Sequence, residues 1–282
     1  MMDDFQLLSM VDRSIVLRNG AFVIAAFIGL VGIWLAWRRT KALGQQADTD
    51  QSRLASQKQH DLESRVTDNL GISLDLISKE GTDARVGAIY LLEKVSKSSS
   101  SDYWLAIEIL CNYLRTNFPT DTSPHIASGR PQSERDAVLN VLSRRKLDFE
   151  PNNSHLDLRE CNFSNAQFDK EAPFEFAVLD RSDLSFAKGL GIHFESTNLL
   201  EANFRACQLP IAMFDQTVAQ YAIFEDAYLP EASFRGADLS GANFRNSDLS
   251  NADFTDAVVL GCEFSGAELS GTIGLPHDLF ES

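Results

Sequence analysis

Apolar residues follow three different patterns along the chain, and each pattern predicts a different element. Residues 20–37 form an apolar run of 18 residues without a charged side chain. At about 1.5 Å per residue, a helix of this length spans roughly 27 Å, close to the hydrocarbon thickness of a bilayer. Between residues 71 and 150 the apolar residues recur with helical spacing, and from about residue 154 they recur at every fifth position. The chain therefore divides into a predicted transmembrane helix, a helical region and a repeat.

The residues that flank the apolar run predict its orientation. Trp34 and Trp37 lie at its end, directly before the basic cluster at 38–41, an order typical of a membrane–water boundary. Because this cluster slightly outnumbers the basic residues before the run, the positive-inside rule places the body of the protein in the cytoplasm. We expect a short outer tail at 1–19 and a single-pass protein of a bacterial inner membrane.

Small residues form a stripe along the predicted transmembrane helix. Ala21, Ala25 and Gly29 lie four positions apart, and such a stripe allows two membrane helices to approach closely. A homodimer that packs along this face is therefore a hypothesis. Residues 38–70 are polar and contain no proline, which predicts a helical stalk.

Helical periodicity predicts three amphipathic helices between residues 71 and 150. Asp102 and Ser133 are the predicted N-caps of the second and third helices. Residues 118–132 contain three prolines and a glycine, which predicts a loop. The apolar residues that define the helices are Ala88, Leu91, Leu92 and Val95, then Tyr103, Ile107, Leu110 and Leu114, then Val138, Val141 and Leu142.

The period of five is most regular between Leu179 and Leu269. Of the 19 positions in this frame, 17 carry a large apolar residue, and a small residue stands two positions earlier in 18 cases. Gly189 and Ala219 stand where the frame has a large apolar residue, and Ile192 stands where it has a small one. A period of five fits neither an ordinary helix nor an alternating strand.

Segments such as ADLSG, ANFRN and ADFTD resemble the unit A-(D/N)-(L/F)-x-x of the pentapeptide-repeat family, and the resemblance covers roughly residues 154–273. It implies a right-handed quadrilateral β-helix with four pentapeptides per turn. We assign residues 151–275 to this β-helix and 276–282 to a C-terminal cap or tail. Residues 20 apart would then stack, and the predicted columns are Phe194, Phe214, Phe234 and Phe254, and opposite them Phe204, Phe224, Phe244 and Phe264.

The two ends of the repeat are less regular than its centre. The step from Phe168 to Phe174 is six residues, which predicts one inserted residue near Pro173, absorbed as a bulge or small loop. Solenoids need caps, so we expect the helical region to cover the first coil, and Leu275 and Phe280 to cover the last. The segments RVGAIYLLEKV and SDYWLAIEILCNYLR also resemble a region upstream of the repeats in some membrane-anchored bacterial family members.

The charge of the chain is concentrated in the repeat. Residues 1–150 hold 19 acidic and 18 basic residues, whereas residues 151–282 hold 21 and 7, a net charge of −14. This balance argues against direct binding of nucleic acid, whose phosphates require a basic surface. Some pentapeptide-repeat proteins instead mimic duplex DNA and bind DNA gyrase. About six coils would be roughly 29 Å long, and duplex DNA of that length carries about 17 charges, so DNA mimicry is an alternative function.

The sequence holds no motif that predicts catalysis or a cofactor. It contains no phosphate-binding loop and no nucleophile elbow, and its five histidines show no metal-ligand spacing. Cys161, Cys207 and Cys262 fall on the small inward position of the repeat, and Cys111 lies in the second predicted helix, so all four are predicted to pack in the core. We expect no enzyme activity, no cofactor and no metal site.

One surface feature predicts a partner. In the five-residue frame Glu175, Glu195, Asp215 and Arg235 stack on one side of the coil, next to the Phe194 column, and Asp253 and Asp256 lie on the same side. Acidic residues about 5 Å apart repel one another, so this acidic column is a candidate strip for a basic protein; the alternative is a solvated surface that salt screens. The leading interpretation is a non-catalytic, membrane-tethered scaffold for protein–protein interaction.

Overall fold

The chain forms two compact units, Met1–Ser64 and Arg65–Ser282. The computed structural model describes residues 3–98, 100–120, 130–152 and 154–276. The side chains of residues 3–27, 62, 63, 100 and 101 lie outside this description.

The first helix, α1 (Asp3–Ile77), contains 75 residues and has no break. The predicted transmembrane segment and the predicted stalk (38–70) are thus parts of one helix, which continues beyond the predicted end of the stalk. Among the residues whose side chains are described, no helix is long and apolar enough to cross a bilayer. Residues 20–27 of the predicted span, with Ala21 and Ala25, lie outside that set. The span is therefore not confirmed, and its packing stripe, of which only Gly29 is described, stays a prediction.

Three further helices confirm the predicted helical region: α2 (Thr82–Ser98), α3 (Ser100–Asn117) and α4 (Gln132–Ser143). A single 3-10 turn, Leu147–Phe149, follows them. Their predicted apolar faces are buried, apart from Leu91, which is half-buried.

Both predicted N-caps are wrong. Helix α3 begins before Asp102, which lies in its first turn, where the helix dipole favours a negative charge. Helix α4 begins at Gln132 after an N-cap at Pro131, whose extended backbone (φ −60°, ψ 136°) makes no side-chain cap. The fixed φ of proline already suits entry into a helix, so Ser133 falls inside the helix.

A buried carboxylate joins the three helices. Glu134 of α4 is fully buried and accepts hydrogen bonds from Nε (2.9 Å) and Nη2 (2.5 Å) of Arg85 on α2. It also accepts a hydrogen bond from the hydroxyl of Tyr113 on α3. Burial acts to raise the pKa of Glu134, but the hydrogen bonds from Arg85 and Tyr113 outweigh it and hold the pKa below its ordinary value.

The repeat forms a right-handed quadrilateral β-helix, as predicted. Parallel bridges connect residues 20 apart, so that one side runs from His193 to Met213, Ser233 and Asp253. The N–H of Ser233 donates to the carbonyl of Ala212 at 2.9 Å, and the Ser233 carbonyl accepts from the N–H of Phe214 at 2.6 Å. The same pairing recurs on all four sides.

The phenylalanine columns are also confirmed. The rings of Phe214 and Phe234 stack with centroids 4.9 Å apart and planes 5° apart, and those of Phe224 and Phe244 stack at 4.8 Å and 3°. Between columns the rings meet edge to face, for example Phe214 and Phe224 at 5.7 Å and 82°. Both arrangements are favourable for aromatic rings, so the columns fill the interior of the coil.

Each corner of the coil is a β-turn whose third residue has a positive φ. In the turn from Leu209, the N–H of Ala212 donates to the Leu209 carbonyl at 3.3 Å, and Ile211 has φ 60°. Such residues recur at the same position of each pentapeptide from Glu160 to Gly271. This backbone conformation favours glycine, asparagine and aspartate.

The structure confirms the inserted residue. Upstream of it the bridges connect residues 21 apart, as from Gln167 to Lys188, whereas the next bridge connects Pro173 to His193, 20 apart. The extra residue therefore lies between Gln167 and Pro173.

The two ends of the β-helix differ. At the first coil, the Thr120 N–H donates to the Glu160 carbonyl at 2.7 Å, so the start of the predicted loop 118–132 pairs with the coil; residues 121–129 lie outside the described part. One apolar cluster continues from α4 into the first coil, in agreement with the predicted helical cap. At the last coil Phe264 is only partly buried, and the predicted cap residue Phe280 lies outside the described residues.

Candidate functional site

The predicted acidic column exists as a geometric feature. Glu175, Glu195 and Asp215 each follow a stacked phenylalanine of one column, and they lie on the side that carries the bridges from Pro173 to His193 and beyond. The 20-residue register therefore places their carboxylates in consecutive coils.

A histidine lies between the first two carboxylates of the column. Nδ1 of His193 is 3.0 Å from Oε1 of Glu195 and 3.8 Å from Oε1 of Glu175. All three side chains are partly exposed, with exposed fractions of 30% for His193, 26% for Glu195 and 19% for Glu175. The predicted column includes both glutamates but not His193. The signal available in the sequence was that His193 lies two residues before Glu195, on the same side of the coil.

An arginine of the helical region contacts the same end of the column. The Arg145 side chain is 1% exposed, and its Nη1 donates to both oxygens of Glu150 at 2.7 and 2.9 Å. Its Nε donates to the Pro173 carbonyl at 2.9 Å, and its Nη2 lies 3.6 Å from Oε2 of Glu175. Burial raises the pKa of Glu150 although Arg145 acts to lower it. Arg145 therefore connects the helical region to the first residue of the column.

Local partners also hold the acidic residues further along the column. Asp215 accepts hydrogen bonds from the Ser233 hydroxyl and, at 3.2 Å, from the Arg235 N–H. Nη1 of Arg235 lies 2.9 Å from Oδ2 of Asp253. Burial acts to raise the pKa of Asp253, but the hydrogen bonds from Thr255 and Arg235 lower it overall. The predicted repulsion along the column is thus relieved by interleaved cations and donors.

Asp256 differs from the other members of the column. It lies at a corner with φ 61°, and its side chain is exposed. It is therefore the member of the strip that is most accessible to a partner.

A second surface feature is apolar. Tyr221 occupies a corner with φ 57° and is 63% exposed, and Val218 and Ile223 flank it on the adjoining sides. Its ring lies over Gly241 of the next coil, where a Cβ would be 2.7 Å from Cδ1 of the tyrosine. Leu260, one coil further, is 77% exposed. We call these four apolar residues the Tyr221 corner.

Sequence reasoning missed the Tyr221 corner because the repeat pattern constrains only the two inward positions of each unit. The available signal was a bulky apolar residue at the third position of the turn, where Gly241 and Gly261 stand in the following coils. That signal has meaning only when the positive φ of this position is known.

The cysteines occupy the predicted core positions. Cys111, Cys161 and Cys207 are buried, and Cys262 is partly buried. Burial raises the pKa of Cys111 to about 12 and that of Cys262 to about 11. Reactive cysteines require a lowered pKa, so these thiols have the properties of packing residues.

The architecture and the comparisons agree on the class of protein, a solenoid built from five-residue units. The sequence profile of the family Pentapeptide repeats matches residues 212–246 and 232–271, with eight copies of the repeat. The repeat at these residues is therefore a pentapeptide repeat, which is the class that the β-helix defines. A comparison with curated proteins finds no match.

Several solved structures are similar to part of the chain. QnrB1, a plasmid-mediated fluoroquinolone resistance protein, is 26% identical over 41% of this chain and 61% of its own, with a TM-score of 0.22. Rfr23 from the cyanobacterium Cyanothece 51142 is 25% identical over 45% of this chain and 69% of its own, with a TM-score of 0.20. HetL from Nostoc sp. strain PCC 7120 is 21% identical over 44% of this chain and 83% of its own, with a TM-score of 0.11. The chain thus spans less than two thirds of QnrB1, and TM-scores this low carry no functional argument.

Proposed function

We propose that this chain is a non-catalytic scaffold that binds a protein partner through its β-helix while tethered to the cytoplasmic face of a bacterial inner membrane. Protein interaction is a role of the pentapeptide-repeat family. The observation that carries the proposal is the Tyr221 corner, a group of four exposed apolar side chains that includes a tyrosine at a backbone position that disfavours it.

The fold itself has no need of a tyrosine at this corner. An L-residue in the left-handed region costs about 1–2 kcal/mol relative to the right-handed one, and glycine occupies the equivalent position in the next two coils, at Gly241 and Gly261. The tyrosine is also exposed to water. Clustered exposed apolar groups are typical of binding surfaces, and tyrosine is enriched among residues that dominate interface energies.

The acidic column is a proposed second contact, for a basic region of the partner. Glu175, Glu195, Asp215 and Asp253 already have local partners, so a bound cation would have to compete with them. Asp256 is exposed and is the member from which we expect the largest contribution.

DNA mimicry receives less support than the scaffold. Duplex DNA presents an uninterrupted negative surface, whereas here Arg181 lies 3.2 Å from both Glu160 and Glu201, in the coils before and after it. Arg205 similarly lies 3.3 Å from Glu225 in the next coil. Inhibition of gyrase supercoiling by the purified chain, relieved by added DNA, would favour mimicry over the scaffold.

A matched pair of variants tests the scaffold. We expect a protein partner to co-purify in fixed stoichiometry with the detergent-extracted full chain from its own host, and to be lost from Tyr221→Asn. Glu231→Asn is the control because Glu231 is exposed at another corner with nearly the same φ, 57°. Retention of the same partner by Tyr221→Asn would contradict binding at this corner.

The tether is tested by fractionation of the host cell. If residues 20–37 cross the membrane, the chain sediments with membranes, resists alkaline carbonate and is released only by detergent. Recovery of the chain in the soluble fraction would exclude the tether without affecting binding at the Tyr221 corner.

A further inference from the structure

We propose that Glu175, His193 and Glu195 bind one divalent transition-metal ion, such as Zn²⁺. Each residue offers one ligand atom, and the three atoms lie within 4.8 Å of one another. This site is independent of the proposed scaffold function, because the Tyr221 corner includes none of the three residues.

The distances suit a common ion. Ligands bound at about 2.1 Å from one metal ion can be separated by no more than about 4.2 Å. The His193 Nδ1 atom is 3.0 Å from Glu195 and 3.8 Å from Glu175, so both pairs already satisfy this limit. The carboxylate oxygens of Glu175 and Glu195 lie within 4.8 Å of each other, close to the same limit.

Two buried oxygen atoms supply a second, independent argument. Within the described residues, Oε2 of Glu175 and Oε2 of Glu195 are inaccessible to solvent and have no hydrogen-bond partner. The Arg145 guanidinium approaches Oε2 of Glu175 only to 3.6 Å, beyond hydrogen-bond distance. An unpaired buried polar atom destabilises the fold, and a cation bound at the Oε1 atoms would neutralise the two carboxylates to which these Oε2 atoms belong. Asp215, further along the column, instead accepts hydrogen bonds.

The ligand types define the class of metal. An imidazole nitrogen with two carboxylate oxygens suits Zn²⁺ and neighbouring first-row ions, whereas Ca²⁺ and Mg²⁺ prefer oxygen ligands alone. The guanidinium of Arg145 is engaged mainly by Glu150 and lies on the Oε2 side of Glu175. It therefore leaves Oε1, the atom nearest His193, free for the ion.

The β-helix holds the ligands in place before any ion binds. The backbone bridge from Pro173 to His193 fixes the register of the two coils, and the hydrogen bond from Arg145 to the Pro173 carbonyl holds the first of them against the helical region. A bound ion would connect consecutive coils at the junction with that region.

Titration of the untagged full chain with Co²⁺ tests the site, because visible absorption reports direct coordination of this ion. We expect about one equivalent to bind and to be displaced by Zn²⁺. Loss of an outer-shell partner alone typically weakens metal affinity about 10–100-fold, so His193→Ala and Glu195→Gln should each weaken it by at least about tenfold. His60→Ala and Glu201→Gln, which alter exposed residues elsewhere, should bind as the wild type does.

Two results of the Co²⁺ titration would contradict the metal site. Absence of bound Co²⁺ in the wild type, or unchanged affinity in a folded His193→Ala or Glu195→Gln, would overturn the site. If His193→Ala fails to fold, the isosteric Glu195→Gln variant decides alone, with circular dichroism to verify its fold. Neither result bears on partner capture through Tyr221, so the two proposals fail separately.

Discussion

The side chain of Ile192 fills the space beside Gly189. A Cβ atom at Gly189 would lie 2.8 Å from both Cγ1 and Cδ1 of Ile192, too close for a real contact. Gly189 lacks the large residue of its repeat position, and Ile192 is large at a position where the repeat has a small one. The two exceptions to the sequence pattern are therefore one packing arrangement, in which the isoleucine supplies the volume that the glycine lacks.

This arrangement predicts that the two positions can exchange volume. We expect Gly189→Leu to destabilise the protein by overpacking, by about 1–3 kcal/mol, and Ile192→Ala to destabilise it by about 2–5 kcal/mol through a cavity. The double variant restores the ordinary repeat pattern, so its loss of unfolding free energy should be smaller than the sum of the losses in the two single variants. Urea unfolding of the four proteins measures the coupling energy, and additive losses would contradict the exchange.

The phenylalanine columns predict that buried and exposed phenylalanines contribute differently to stability. Phe224 is fully buried and contacts rings in its own and the facing column, so Phe224→Ala should lower the free energy of unfolding by about 3–5 kcal/mol. Phe186→Ala removes the same side chain from an exposed corner and should change it by less than about 1 kcal/mol. Similar urea midpoints for the two variants would show that the columns do not carry the stability of the coil.

The sequence determined the core of the β-helix because the core is periodic. Stacking of Phe214 on Phe234 follows from one number, the 20 residues of a turn. The small inward cysteines, such as Cys207, and the inserted residue before Pro173 follow from the same frame.

The functional candidates could not be predicted in this way, because they lie outside the two constrained positions of each unit. The contact of His193 with Glu175 depends on register and side-chain rotamers together. The significance of Tyr221 depends on a positive φ that the five-residue pattern does not encode. In the helical region, the start of α4 was predicted wrongly because Pro131 sets the entry backbone without a polar cap.

The left-handed corners predict a stabilising substitution. Ile211 is β-branched, exposed, and held at φ 60°, a conformation that asparagine tolerates better. Ile211→Asn should therefore raise the free energy of unfolding by about 1 kcal/mol.

Val218→Asn is the matched control for Ile211→Asn. Val218 is also β-branched and about equally exposed (45% against 48%), but it occupies a bridge position on one side of the coil. There asparagine is the poorer strand residue, so we expect no gain in stability. Equal urea midpoints for the two asparagine variants would contradict strain at the corner.

Glu134 predicts a specific response to acid. Its folded-state pKa is lowered, chiefly by Arg85 and Tyr113 against the opposing effect of burial. Its contribution is therefore fully present above the unfolded pKa of about 4.3 and is lost as the pH falls through the lowered folded pKa. Glu134→Gln leaves Arg85 without its buried counter-charge, so we expect the free energy of unfolding to fall by about 3–5 kcal/mol at neutral pH.

The pH dependence distinguishes this buried pair from a surface pair. The difference in stability between the wild type and Glu134→Gln should shrink as the pH falls below about 4, because the wild type alone loses the charge of Glu134. Glu160→Gln removes one partner of the exposed Arg181 pair and should lower the free energy of unfolding by less than about 1 kcal/mol at every pH of this range. Urea unfolding across this pH range, followed by far-ultraviolet circular dichroism, measures both differences. A difference for Glu134→Gln that stays constant or widens in acid would show that the carboxylate is not held ionised by Arg85.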